Sequence, residues 1–199
     1  YSWVLYDWAN SAYATIVLAG FFPIIYAEYF AVSIDSSERT LYLGISNSAA
    51  SLLLIISAPL FGLLADRFNK KKLFLSIFAF LSIASTFTLT FISSNSYILA
   101  SMFFSISLLG FMMANVFYDS MLLDFENDKF NRISSYGYAF GYLGGGIAFV
   151  IALLFLYYTE QSDLELIASK KIVFIFTSFW WLLFMTPLII FWQDDINYN

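Results

Sequence analysis

Gly62-Leu-Leu-Ala-Asp66-Arg67-Phe-Asn69-Lys70-Lys71-Lys72 decides how this chain is read. It is the one dense cationic cluster in a sequence that is 61% hydrophobic, and it lies between two long apolar runs. A small residue, an acid, an arginine, a turn residue and a basic run suit a tight hairpin between two membrane helices. Gly62 lets the preceding helix approach a neighbour closely. Asn69 can adopt the left-handed conformation that ends a helix. The cations hold such a loop on the cytoplasmic side. A generic positive loop explains the lysines but not the Gly-x-x-x-Asp-Arg spacing.

Composition agrees with that reading. Charged residues make up 12% of the chain and the mean hydropathy is +0.78, against about 25% charged residues in an ordinary soluble domain. The apolar blocks run about 20 residues or more, enough to cross a bilayer. The first block carries Asp7 and Asn10 and lacks a basic leader and a small-residue cleavage site, so it reads as a membrane helix and not a signal peptide. Cysteine and histidine are both absent. Disulfides, thiolate nucleophiles, Cys/His metal sites and imidazole relays are thereby excluded from this segment, and no metal or cofactor is expected. No basic stripe suggests nucleic acid; the expected surroundings are a lipid bilayer.

Six spans are expected, with helix 1 from about Trp3 to Phe30 and helix 2 from about Leu41 to Ala65. Helix 3 covers about Leu73 to Ile92 and helix 4 about Tyr97 to Leu123. Helix 5 covers about Ser135 to Tyr158 and helix 6 about Lys171 to Trp192. The polar connections are Ser33–Thr40, Asp66–Lys72, Ser93–Ser96, Asp124–Arg132 and Thr159–Ser169. The loops after helices 2 and 4 hold six cations: Arg67, Lys70, Lys71, Lys72, Lys129 and Arg132. The opposite side holds three, Arg39, Lys170 and Lys171, which places both ends of the chain in the cytoplasm. The chain opens at Tyr1 and stops just after helix 6 in an acidic tail, which reads as a fragment of a longer protein.

Charge inside a membrane helix costs roughly 2.5–3.5 kcal/mol on insertion scales, so such residues face a bundle interior or a wet cavity. Helix 1 opens Tyr6-Asp7-Trp8-Ala9-Asn10-Ser11-Ala12-Tyr13; Asp7, Asn10 and Ala14 recur at helical spacing. Helix 4 carries Asn115, Tyr118 and Asp119. With helix 1 rising from the cytoplasm and helix 4 descending to it, these residues lie at similar depth. They are expected to form one polar layer in the cytoplasmic half of a central cavity, serving a solute or protons. Asp7 also suits a plain helix N-terminus, where the dipole favours an acid. Glu28 is expected to snorkel to the outer interface. Gly137, Gly141 and Gly145 recur every fourth residue of helix 5 and form a flat packing ridge. Pro23, Pro59 and Pro187 can break helices 1, 2 and 6 locally. Trp180, Trp181 and Trp192 read as packing or interface anchors.

The Gly62–Lys72 segment resembles the signature between helices 2 and 3 of the major facilitator superfamily, with Gly62, Asp66, Arg67, Lys70 and Lys71 on its pattern and Asn69 where glycine is usual. Tyr6–Tyr13 followed by Phe21-Phe-Pro23, together with Phe117-Tyr-Asp119 and Gly137–Gly145, resembles the vacuole-effluxer-like branch, whose bacterial members are called the unknown major facilitator family. Asp119 stands where asparagine is expected, and Leu123 where proline is common. The resemblance implies an all-α membrane fold of twelve helices, of which residues 1–199 form the N-terminal six-helix half. It implies a C-terminal half as partner, helices 1 and 4 along the cavity, and Gly62–Lys71 at a cytoplasmic gate. It further implies secondary active transport of a small polar solute by alternating access, with amino-acid efflux and proton coupling as its finer forms, at the plasma membrane if the source is bacterial.

Other functions remain open at this point. A membrane-embedded aspartyl enzyme needs two carboxylates sharing a proton; Tyr6-Asp7 and Tyr118-Asp119 invite that comparison, but the Gly-x-Gly-Asp segment of such enzymes is missing, and no enzyme is expected. A non-transporting sensor or assembly subunit would keep the loop signature and fill its centre with bulky apolar side chains.

Overall fold

The computed structural model describes residues 1–125, 127–160 and 166–193. Among these are six long helices and no strand: α1 (Ser2–Phe30), α2 (Ser36–Phe68), α3 (Lys71–Leu89), α4 (Tyr97–Leu122), α5 (Asn127–Glu160) and α6 (Leu166–Phe191). Each contains a stretch long and apolar enough to span a bilayer. The middle of the expected Thr159–Ser169 connection and the acidic tail lie outside the described residues.

Local chemistry explains where the helices begin and stop. α2 starts at Ser36, earlier than expected, because Asp35 caps it: its carboxylate accepts the Glu38 N–H at 2.9 Å and the Ser37 hydroxyl at 2.8 Å. The same helix ends at Asn69, which takes φ 51°, ψ 51°. This left-handed residue returns its N–H to Asp66 O at 3.2 Å, and Lys70 N–H reaches Ala65 O at 2.9 Å. α5 begins at Asn127 and absorbs most of the expected Asp124–Arg132 loop.

The prolines correct an expectation. Pro59 and Pro187 sit inside helices that continue through them; the carbonyls a proline frees inside a membrane helix can be met by local adjustment and by neighbours. Pro23 is different. α1 takes π-helical form over Tyr13–Phe21 and Tyr26–Phe30, on either side of the short α-helical turn Phe22–Ile25 that holds this proline. A widened turn accommodates the missing donor.

α1 is the centre of the bundle. It packs along α5 and α6, α3 pairs with α4 and also meets α6, and α2 lies against α4. The long helices α2 and α5 therefore flank the α1–α4 pair. Close approach is made by small residues: a methyl at Gly110 of α4 would lie 2.7 Å from Phe78 O and 2.8 Å from Ser82 N, so α3 and α4 touch backbone to backbone. Hydroxyls seal that contact. Ser82 Oγ donates to Ser107 O at 2.7 Å, and the Thr86 and Ser107 hydroxyls are 2.7 Å apart.

Candidate functional site

α1 and α4 run antiparallel and meet through side chains along their whole length. Beginning at the end that carries the basic loop, Trp3 Nε1 donates to Tyr118 O at 3.0 Å while the two rings stack at 4.2 Å. Asn10 Nδ2 donates to Asn115 Oδ1 at 2.5 Å. Ser107 Oγ donates to the Tyr13 hydroxyl at 3.1 Å. Phe22 then stacks on Phe104 at 3.9 Å, and the Tyr26 hydroxyl lies 2.9 Å from Ser101 Oγ. The polar steps cluster toward the basic end and the middle, and each is a side chain that would be costly in lipid alone.

A second face of α1 meets the glycine ridge of α5. A methyl at Gly141 would lie 2.6 Å from Asp7 Oδ2 and 3.0 Å from Ser11 Oγ; one at Gly137 would lie 2.6 Å from the Trp3 ring. At Gly145 it would meet Ser11 O at 3.0 Å. Thr15 Oγ1 reaches Gly145 O at 3.2 Å, bridging the two backbones. Asp7 and Asn10 therefore do not point the same way. Three residues along a helix leave about 60° between side chains, enough for Asp7 to face α5 while Asn10 faces α4.

The expected polar residues consequently occupy three environments. Asn10, Tyr13 and Tyr118 are buried within the bundle. Asp7 and Asn115 are half-buried at its edge, and Asp119 is exposed. The hydroxyls of Tyr6 and Tyr118 are buried and hold no hydrogen bond to a described residue. Asp7, Asp119 and Tyr138 lie within electrostatic reach of the Tyr118 hydroxyl. Carboxylates beside orphaned hydroxyls make a group that can exchange protons or bind a polar solute.

The loop signature divides in the same manner. Lys71 turns inward, pairing with Asp124 at 2.6 Å and donating to Ser120 O at 3.2 Å. Lys72 donates to Trp192 O at 2.6 Å and Ile189 O at 3.3 Å. These two lysines satisfy the last carbonyls of α4 and α6, where cations are favoured. Asp66, Arg67 and Lys70 stay exposed, with the Arg67 guanidinium 5.8 Å from the Phe68 ring. Nothing in the described chain approaches within 4 Å of a methyl at Gly62, so its small size serves no contact inside this bundle.

Contacts among helix ends and loops hold the opposite end of the bundle together. Glu28, near the end of α1, pairs with Lys170 and keeps its side chain about half exposed. Lys171 Nζ donates to Ile92 O at 2.9 Å and lies 4.6 Å from the centre of the Tyr29 ring. Asn95 donates its N–H to Tyr29 O at 3.0 Å and accepts from Ser33 N–H at 3.0 Å. No group of His, Cys, Asp and Glu among the described residues could hold a metal ion.

Two contributors, Gly144 and Trp3, were not singled out by sequence. Gly144 breaks the every-fourth-residue pattern, yet it makes a very tight approach, with a methyl 2.6 Å from Trp8 O. Trp3 carries both a stack and a hydrogen bond to the polar residues of α4. Trp181 and Trp180, read as packing or interface anchors, do pack: Trp181 sits fully inside, against Tyr6, Tyr13 and Phe111, and Trp180 stacks on Trp8 at 6.0 Å. Only the density of aromatic residues in helices 1 and 6 hinted at these partners.

Comparison with known proteins gives the arrangement a lineage. The family described as vacuole effluxer Atg22-like matches residues 29–197. An uncharacterized MFS-type transporter of Bacillus subtilis, YxiO, is 38% identical over 94% of this chain and 45% of its own length. An uncharacterized protein of Aquifex aeolicus is 33% identical over 75% of this chain and 36% of its own length. The chain thus spans less than half the length of these curated relatives. No solved structure matches it.

Proposed function

The chain belongs to the vacuole effluxer Atg22-like family, and on that premise we propose that it forms the first half of a secondary active transporter working by alternating access. As an integral membrane protein with several spans it already has the required setting. The observation that carries the reading is the α1–α4 pair. One level of it, Asn10 with Asn115, lies beside Asp7, Asp119 and the unpaired hydroxyls of Tyr6 and Tyr118. Asp119 is exposed on the surface of this half, where a second half would enclose it together with Asn115 and Tyr138. A small polar solute is the substrate class this surface suits; the family description names an effluxer, and an amino acid is the solute class of this proposal.

The second half supplies the rest of the site in this reading. Its docking surface is formed by the exposed faces of α2 and α5. The open side of Gly62 and the exposed Asp66, Arg67 and Lys70 support that role for α2. Six cations at the basic end against three at the other favour a cytoplasmic location for both termini of this segment. Lys71 acts within the gate as a brace between α3 and α4.

Proton coupling is assigned to Asp119, with Asp7 as its neighbour. Replacing Asp119 by asparagine in the full-length protein tests it through the pH dependence of transport in proteoliposomes. Loss of that dependence with transport retained supports the assignment; an unchanged pH profile rejects it. The non-transporting reading draws on the aromatic filling between α1 and α4. It is disfavoured by the exposed carboxylate of Asp119, which a filled centre has no use for.

A further inference from the structure

A sizeable cavity of the described bundle lies outside the α1–α4 layer. It lies at the basic end, between the start of α1, the residues after α4 and the first turns of α5, and has a volume of about 770 Å³. Its walls include Trp3, Phe125, Lys129, Arg132, Tyr136 and Phe140, and no acidic residue lines it among the described residues. The Arg132 guanidinium is 5.7 Å from the centre of the Tyr136 ring, so a cation and an aromatic surface share one wall.

Its lining includes none of Asp7, Asn10, Asn115 and Asp119. Phe140 meets Trp8 at 6.4 Å, and Trp8 in turn stacks on Trp180 of α6. Phe125 meets Trp192, just beyond the end of α6, edge-on at 5.4 Å. Two walls of the cavity, Phe125 and Phe140, are thereby joined through aromatic contacts to the end of α6 and to Trp180. Exposed cations beside aromatic walls match the headgroup-to-acyl boundary of a membrane, where basic pockets between helices collect anionic lipids. The volume falls within the range of about 300–1,000 Å³ typical of ligand pockets.

We infer that this cavity binds an anionic phospholipid, its phosphate against Lys129 and Arg132 and its glycerol and upper acyl carbons against Trp3, Phe125, Tyr136 and Phe140. The inference rests on the membrane location of the chain and is independent of solute, coupling ion and direction of transport. Through Trp3, which also stacks on Tyr118, the lipid would contact the polar layer at one remove.

Native mass spectrometry of the full-length protein tests this, using equal amounts of phosphatidylglycerol and phosphatidylcholine and counting the lipid retained. The expected preference for phosphatidylglycerol is roughly tenfold to thirtyfold, the size that two interfacial cations supply. It should vanish in a K129Q/R132Q double variant and persist in R67Q/K70Q, which removes the same charge at the same end outside the cavity. F140A, which changes no charge, should lower retention of both lipids. An undiminished preference in K129Q/R132Q overturns the site. Equal loss in R67Q/K70Q overturns it too, because it reduces the effect to general surface charge. Displacement of the lipid by inorganic phosphate at millimolar concentration would make the ligand a free anion and overturn the lipid assignment. Unchanged thermal unfolding of each variant in phosphatidylcholine alone confirms that folding is not what moved.

Discussion

α1 and α2 follow one another in the chain, and both are long and apolar, yet they end in opposite situations. In its most apolar window α1 is 44% buried; α2 is 11% buried, although its hydropathy of 2.1 exceeds the 1.4 of α1. In water that order would be reversed. In a bilayer the hydrophobic effect gives helices no reason to associate, so the helix with polar groups and small-residue contacts takes the centre. α1 carries Asp7, Asn10, Ser11 and Thr15 and is clasped by the glycines of α5. α2 shows Leu52, Ile55, Leu60 and Leu63, each at least 60% exposed, to whatever surrounds this half. The difference teaches that in this fold polarity marks the inside and hydropathy the periphery.

Glycine substitutions should break that contrast most visibly. G144A drives a methyl to 2.6 Å from Trp8 O, a backbone atom that cannot swing aside. We expect a loss of about 1–3 kcal/mol, read as earlier unfolding in a detergent-based thermal assay. G62A meets nothing within 4 Å and should leave the unfolding of this half unchanged, while slowing transport by the full-length protein if a second half packs there. Equal thermal losses at the two positions would erase the distinction between the helices.

A smaller effect is expected from N10A. It removes the bond to Asn115 and should cost about 0.6–2 kcal/mol, the measured span for hydrogen bonds between membrane helices. N10A combined with N115A should cost little more than either alone, and simple additivity would show that the two amides act separately.

The smallest effect concerns the start of α2. Asp35 has its carboxyl held below the ordinary aspartate range, first by the Glu38 backbone N–H and then by the Ser37 hydroxyl. A depressed value means the cap contributes fully above the unfolded aspartate value of about 3.9 and is lost as pH falls through the folded one. Hydrogen exchange at the Glu38 amide should therefore be protected at neutral pH and lose protection only in acid, while D35A should lack protection throughout. No change in D35A would remove Asp35 as the device that separates α2 from α1.

Much of this architecture was legible in the sequence, for physical reasons that also explain what was not. Six apolar blocks are readable because the bilayer sets their length, and Asn69 ends α2 by the conformation its residue type suggests. The convergence of helices 1 and 4 followed from orientation and depth. What could not be read was rotation. Asp7 and Asn10 share a face by spacing, yet a small turn of α1 sends one to Gly141 and the other to Asn115. Gly144 escaped notice because its role depends on where the Trp8 carbonyl falls. Pro59 and Pro187 promised breaks that the structure does not make, since a proline inside a membrane helix does not by itself dictate a break. The inward turn of Lys71 and Lys72 depends on the ends of α4 and α6, far away in sequence.

The central claim is that the surface of α4 around Asp119 lines a water-filled cavity, in contrast to the sealed core one face away. This segment has no cysteine of its own, so single cysteines at Asp119 and Ser107 can be compared in a cysteine-free version of the full-length protein. Their reaction with a membrane-impermeant maleimide is the direct measurement. Asp119 is exposed and Ser107 fully buried, and the account predicts rapid labelling at 119 with none at 107. Equal silence at both positions would put Asp119 against lipid or protein and contradict the claim.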